Sequence, residues 1–183
     1  MVVAATQREL AASGKWRTLC CGVGPVDAAA TTAAAIALDR PAAIVHVGIA
    51  GARRACELVP LTLVIGTEAR YHDLSVPARL APGAVLVDAV LIAAVRSAFP
   101  DAVLLPIGTS ARVGGTADTD VEAMEGFAVL RAAQLAGVPA IEVRAISNEI
   151  EEEDRARWQF EAAFATITAA TPRLVEEVAR CVS

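Results

Sequence analysis

The chain has 183 residues, 55% of them hydrophobic, with a formal charge of −5. That length fits one domain over 1–183 with a sizeable core. Its apolar runs are far shorter than the roughly 20 residues of a membrane helix, and its N-terminus lacks a basic segment followed by an apolar core and cleavage site, so a soluble, cytoplasmic protein is expected.

Lys and Arg are scattered through the sequence, which argues against a nucleic-acid surface. Cys20, Cys21, Cys56 and Cys181 have no CxxC spacing. They are expected to be buried reduced thiols rather than a disulfide or zinc set.

Residues 1–5 read as a short buried strand, and Thr6 is placed to cap a helix starting at Gln7. Glu9 then falls in the first turns after a strand end, where an ordinary helix carboxylate would face solvent. Residues 16–21 form a second strand, and Gly22-Val23-Gly24-Pro25 leads into an Ala-rich helix over 26–38. Two glycines between a strand and a helix suggest a dinucleotide turn. The third glycine of that fingerprint would fall at Asp27, whose carboxylate repels pyrophosphate, so NAD is excluded.

Pro41 closes the helix, and 42–47 is the third strand, with His46 as a core histidine. It exits into Gly48-Ile49-Ala50-Gly51-Ala52, small residues that permit close approach to the backbone or make a plain tight turn. A strand over 61–67 precedes Glu68-Ala69-Arg70-Tyr71-His72-Asp73. His72 and Asp73 have no third ligand at metal spacing, so no metal and no cofactor is expected. Asp88 can cap a helix ending near 99–100, and 102–107 is a further strand. In the segment 108–115, Arg112 is an exposed loop residue or a guanidinium able to stack on a flat ring.

The most informative stretch is 121–148. A polar-acidic approach over 121–126, containing Met124 and Glu125, enters a helix over 127–136 that Gly137 and Pro139 terminate. A buried strand over 140–146 follows, ending on Ser147 and Asn148. Glu125 can be a carboxylate favoured by the helix dipole and Asn148 a turn residue. Alternatively, the two face one crevice, where open α/β sheets bind ligands. The charged segment 149–157 reads as a solvated loop. Trp158 and Phe160 either cover the crevice or anchor a final helix over 159–182. Strands alternating with helices make an α/β fold.

Met124-Glu125-Gly126, followed by Arg144-Ala145-Ile146-Ser147-Asn148, resembles the purine nucleoside phosphorylase and nucleosidase superfamily. The likeness is greatest to futalosine hydrolases, then to methylthioadenosine/S-adenosylhomocysteine nucleosidases. Glu9-Leu10, Gly22-Val23-Gly24, Gly48-Ile49-Ala50-Gly51 and Glu68 to Asp73 are similar to further family segments. The resemblance implies a three-layer αβα fold around a mixed sheet, assembled as a homodimer or larger homo-oligomer, with the Glu68 to Asp73 run as scaffold and subunit contact. It also implies that Glu9 activates water, that Glu125 grips the ribose hydroxyls over Met124, and that Ile49, Ala50 and Gly51 lie beside ribose and base. Asn148, next to Ser147, would meet the purine at N7.

Adenine nucleosidases carry Asp where this chain has Asn148, and an amide can donate to N7 and O6 of a 6-oxopurine. The implied reaction is hydrolysis of futalosine to hypoxanthine and dehypoxanthine futalosine, in menaquinone biosynthesis. An adenine-directed nucleosidase and a catalytically silent nucleoside binder are the alternatives. Water is the expected nucleophile unless Arg53, Arg54 and Arg70 converge on an anion site. Arg112, Arg53 and Arg157 are candidates for a substrate carboxylate.

Overall fold

Apolar runs and Ala-rich stretches alternate along the chain, and in the computed structural model, which describes residues 1–11 and 15–182, they become eight strands and four helices. In order these are β1 (Val2–Ala4), β2 (Thr18–Cys20), α1 (Pro25–Leu38), β3 (Ile44–Ala52), β4 (Leu63–Tyr71) and β5 (Ala84–Leu86). Then follow α2 (Ala89–Ala98), β6 (Val103–Thr109), β7 (Val121–Ala123), α3 (Gly126–Leu135), β8 (Ala140–Glu149) and α4 (Phe160–Cys181). Among the described residues no helix is long and apolar enough to cross a membrane.

The strands form one mixed sheet. β8 lies between β3, to which it runs parallel, and β4, to which it runs antiparallel. β1 and β2 extend the β3 side in parallel, and β6 and β5 extend the β4 side. β7 bridges β6 and the end of β3, so β3, β8, β4, β6 and β7 close into a ring at that end. Helices α1 and α3 pack on each other, as do α2 and α4, with the sheet between them. This is the expected three-layer αβα architecture. Its core is built of small aliphatic residues such as Val3, Val45, Ile65, Val129, Ile141 and Leu174.

Three local expectations are corrected. Residues 121–123, expected as a polar-acidic approach to the helix, form a buried strand, in which Val121 and Ala123 are covered and Glu122 finds partners inside. β4 runs on to Tyr71 through a register shift against β6. Cys20 is exposed because β2 is an edge strand with only one neighbour. Cys21 is buried, and its thiol is pushed up to about 12, mainly by burial and then by the charge of Glu125.

Candidate active site

The C-terminal ends of β1, β3 and β8 and the start of α3 open into one cavity of about 600 Å³. All eight residues singled out in the sequence line it: Glu9, Ile49, Ala50, Gly51, Met124, Glu125, Ser147 and Asn148. Glu122, Arg155 and Phe164, which the sequence did not suggest, line it too, as does Arg144, which the family motif contains but to which no role was given.

Glu9 lies on a single 3-10 turn, Gln7–Leu10, and is buried rather than facing solvent. Thr6 is the N-cap residue of that turn, as expected, in a capping box with Glu9. Its amide and its hydroxyl both donate to Glu9 Oε2, at 2.9 and 2.8 Å. Among the described residues Oε1 accepts only from the Ile49 amide, at 3.4 Å. One oxygen is therefore fixed and the other is available to a proton donor in the cavity, the arrangement a general base needs.

Glu125 is the N-cap residue of α3, yet among the described residues its side chain makes no cap hydrogen bond. Its Oε1 accepts from the Gly24 amide at 3.0 Å, and its Oε2 lies 3.6 Å from Arg144 Nη2. This tie to Gly24 gives the glycine turn before α1 its role. The start of α3 is seated by the Phe127 amide donating to Thr109 Oγ1 at 2.8 Å.

Arg144 is wholly buried at the centre of the charged cluster. Its Nε donates to Glu142 Oε1 at 2.8 Å, its Nη2 to His46 Nε2 at 2.5 Å, and its Nη1 to the Ile49 carbonyl at 3.4 Å. Burial opposes its charge, but Glu142, Glu125 and Glu9 together hold the guanidinium above its ordinary value. His46 Nδ1 lies 3.1 Å from the Val3 carbonyl and must be the donor there, which leaves Nε2 as acceptor from Arg144. Burial, then the neighbouring Arg144, holds His46 well below its usual value, so it is neutral. His46 is thus a satisfied core histidine that also props the site. Gly48 is small for the same cluster, because a Cβ there would stand 2.9 Å from Glu9 Oε1 and would overlap Arg144 Nη1.

The end of β8 carries a bulge. Ala50 pairs with Ile146 but Gly51 pairs with Asn148, leaving Ser147 as the extra residue. Such a bulge re-aims the side chains after it. Ser147 Oγ lies 3.1 Å from the Ala50 carbonyl and 2.7 Å from Asn148 Oδ1, and Asn148 Nδ2 donates to the Glu149 carbonyl at 2.9 Å. The amide is therefore oriented from both ends, and one N–H remains for a ligand. N7 and O6 of a purine would share that single donor.

The far wall is the loop after β6. Glu122 holds it by accepting from the Gly114 amide at 2.5 Å and Thr116 Oγ1 at 3.0 Å. Asp73 accepts from Ser110 Oγ and the Ala111 amide, and His72 contacts Thr119 and Asp118, so that pair serves the scaffold. Trp158, Phe160 and Phe164 form an aromatic side of the cavity, with neighbouring ring centroids 5.3 and 6.3 Å apart.

The arginines divide into two groups. Arg53 donates to the Thr119 and Thr116 carbonyls and lies 3.8 Å from Glu151. Arg54 pairs with Glu149, Arg70 with Glu68, and Arg157 with Glu152, and none of these four lines the cavity. Arg112 and Arg155 do line it, and among the described residues neither makes an ion pair.

Comparison with known proteins gives the site its relatives. The family model of the phosphorylase superfamily matches residues 10–113 and 111–183. A futalosine hydrolase of Streptomyces coelicolor is 37% identical over 183 residues, covering 87% of this chain and 78% of its own. Among solved structures, a methylthioadenosine/S-adenosylhomocysteine nucleosidase of Colwellia psychrerythraea in complex with adenine superposes with a TM-score of 0.82 at 21% identity, covering 96% of this chain and 92% of that one. The futalosine hydrolase of Helicobacter pylori gives 0.83 at 16% identity, with 96% of each chain covered. Matched along almost its whole length and closed around one cavity of buried carboxylates, the chain belongs to the phosphorylase superfamily.

Proposed function

We propose that this protein is a nucleosidase of the futalosine hydrolase type, using water to cleave futalosine to hypoxanthine and dehypoxanthine futalosine. The observation that carries the substrate is Asn148, an amide held by Ser147 and the Glu149 carbonyl with one N–H to offer. The 37% identity to the Streptomyces coelicolor futalosine hydrolase supports the same reading.

Cleaving an N-ribosidic bond develops positive charge on the sugar and negative charge on the departing base. Glu9, through Oε1, takes the proton of the attacking water. Glu125 accepts from the ribose hydroxyls, with Met124 beneath the sugar, and the small residues Ala50 and Gly51, next to Ile49, let the nucleoside approach the end of β3. Asn148 donates to the purine at N7. An amide cannot pass a proton to the leaving base, which suits hypoxanthine because its carbonyl delocalises the charge. Water is favoured over phosphate because Arg53, Arg54 and Arg70 are committed elsewhere. Futalosine carries a carboxyphenyl ketone at its 5′ end. Arg112 and Arg155 are the cavity arginines left to meet that carboxylate, and Trp158, Phe160 and Phe164 the rings to pack on its aryl group. Menaquinone biosynthesis is the pathway this assigns, with a cytoplasmic homo-oligomer as its form.

The test is to incubate the protein in phosphate-free buffer with futalosine, inosine and methylthioadenosine separately and follow free base by chromatography. Hypoxanthine from futalosine in clear excess over adenine from methylthioadenosine is expected. Adenine alone would replace the substrate by an adenine nucleoside, and no base from any of them would make the protein a silent binder.

A further inference from the structure

Glu142, like His46, belongs to the buried cluster but touches neither the cavity nor solvent. It stands two residues before Arg144 on β8, on the same face of the strand. Its Oε1 accepts from Arg144 Nε at 2.8 Å, while its Oε2 is buried with no hydrogen-bond partner among the described residues. Burial raises its carboxyl above the ordinary value, with Arg144 pulling the other way and Glu125 adding to the rise.

Room for this carboxylate comes from Gly126. A Cβ at that position would stand 2.6 Å from Glu142 Cδ and would overlap both oxygens. An aliphatic residue at 142 and an alanine at 126 would fill the same space without burying an unpaired oxygen, so filling it needs no carboxylate, whereas removing the carboxylate alone takes from the buried Arg144 one of its partners. Packing alone does not account for Glu142.

The geometry around Arg144 does. Three of its nitrogens are held, by Glu142, by His46 and by the Ile49 carbonyl. Held this way, Nη2 stays 3.6 Å from Glu125 Oε2, beyond hydrogen-bond reach. Glu125 Oε1 is taken by Gly24, and no hydrogen bond from the described residues reaches Oε2. Glu9 and Cys21 are the other titratable groups of the cluster, and Glu122 is occupied by Gly114 and Thr116.

We propose that Glu142 is a positioning residue: by holding Arg144 Nε it keeps the guanidinium off Glu125 and leaves Glu125 Oε2 free for the hydroxyls of a ribonucleoside. This rests on the reading of Glu125 given above.

The test uses Glu142→Leu, which removes the acceptor, and Glu142→Gln, which keeps one. In a crystal structure of the leucine variant, Arg144 is expected to close on Glu125 to about 3 Å. Its preference for inosine over 2′-deoxyinosine, read as the ratio of kcat/KM, should fall about tenfold, the worth of a hydrogen bond to a charged group. Glu142→Gln should restore both within about twofold of the parent. A leucine variant with Arg144 still 3.6 Å from Glu125 and an unchanged ribose preference would overturn the proposal. Equal behaviour of the leucine and glutamine variants would overturn it too, because only the charge would then matter. If Glu142→Leu does not fold, Gly126→Ala with Glu142→Val fills the space and removes the acceptor in the same way. A parent protein that hydrolyses no nucleoside would end the functional reading, while the position of Arg144 in the variant still decides this one.

Discussion

Two groups of charged residues occur within sixteen positions of each other, and they do opposite things. Glu142 and Arg144 are buried with Glu125, Glu9 and His46 around one guanidinium. Glu151 to Arg157 lie at the surface, where Arg157 is 73% exposed in its pairs with Glu152 and Asp154. The residue types are the same, but the surroundings differ. Water screens the outer pairs and leaves them little net worth, whereas each inner charge depends on its partners because nothing else solvates it. Charge placed in a strand interior organises the site, and charge on the following loop keeps that loop solvated.

The sharpest way to stress the comparison is to alter the inner group. Glu9→Gln should lower the hydrolysis rate about 10³-fold, read by hypoxanthine release, with the fold retained, because it removes the proposed general base. Arg144→Met leaves Glu142 buried without its cation and should cost about 3–5 kcal/mol of stability in urea unfolding. A third effect is pH-dependent. His46 is held below its ordinary 6.5 by burial and by Arg144, so the unfolded chain binds the extra proton first as pH falls. Its contribution to stability is present above pH 6.5 and is lost below it, by up to about 1.4 kcal/mol per pH unit. Glu142, raised by burial, has the opposite slope. The difference between the parent and His46→Gln, followed by urea unfolding from pH 7 to 5, isolates the histidine. The smallest effect is in the outer group, where Arg157→Ala should leave the urea midpoint unmoved. A loss there matching that of Arg144→Met would erase the distinction between the two groups.

The same contrast explains what could be read in advance. Long elements were legible from period and punctuation: α3 from its apolar spacing before Gly137 and Pro139, and β8 from the mainly apolar stretch that follows them. The eight residues expected at the site came from strand ends and from family motifs, and one cavity collects them. Glu142 was hidden because a charge inside an apolar strand has no local signature of its partner, which here is two residues on. Two charges at i and i+2 within a buried run do carry a signal, since they share a face and almost never stay buried unpaired. The bulge at Ser147 and the three-residue strands β5 and β7 depend on neighbours distant in sequence. Arg155 sat within a run that reads as solvated, and only the return of the chain to the cavity through Trp158 separates it from Arg157.

The most direct test of the central claim is a crystal structure of Glu9→Gln with futalosine bound, since the slowed enzyme should hold its substrate intact. The expected result has the ribose 2′- and 3′-hydroxyls on Glu125, the N7 edge of the base on Asn148, a water between residue 9 and the anomeric carbon, and the carboxylate against Arg112 or Arg155. A nucleoside bound with its sugar away from Glu125 and its base away from Asn148 would contradict the account.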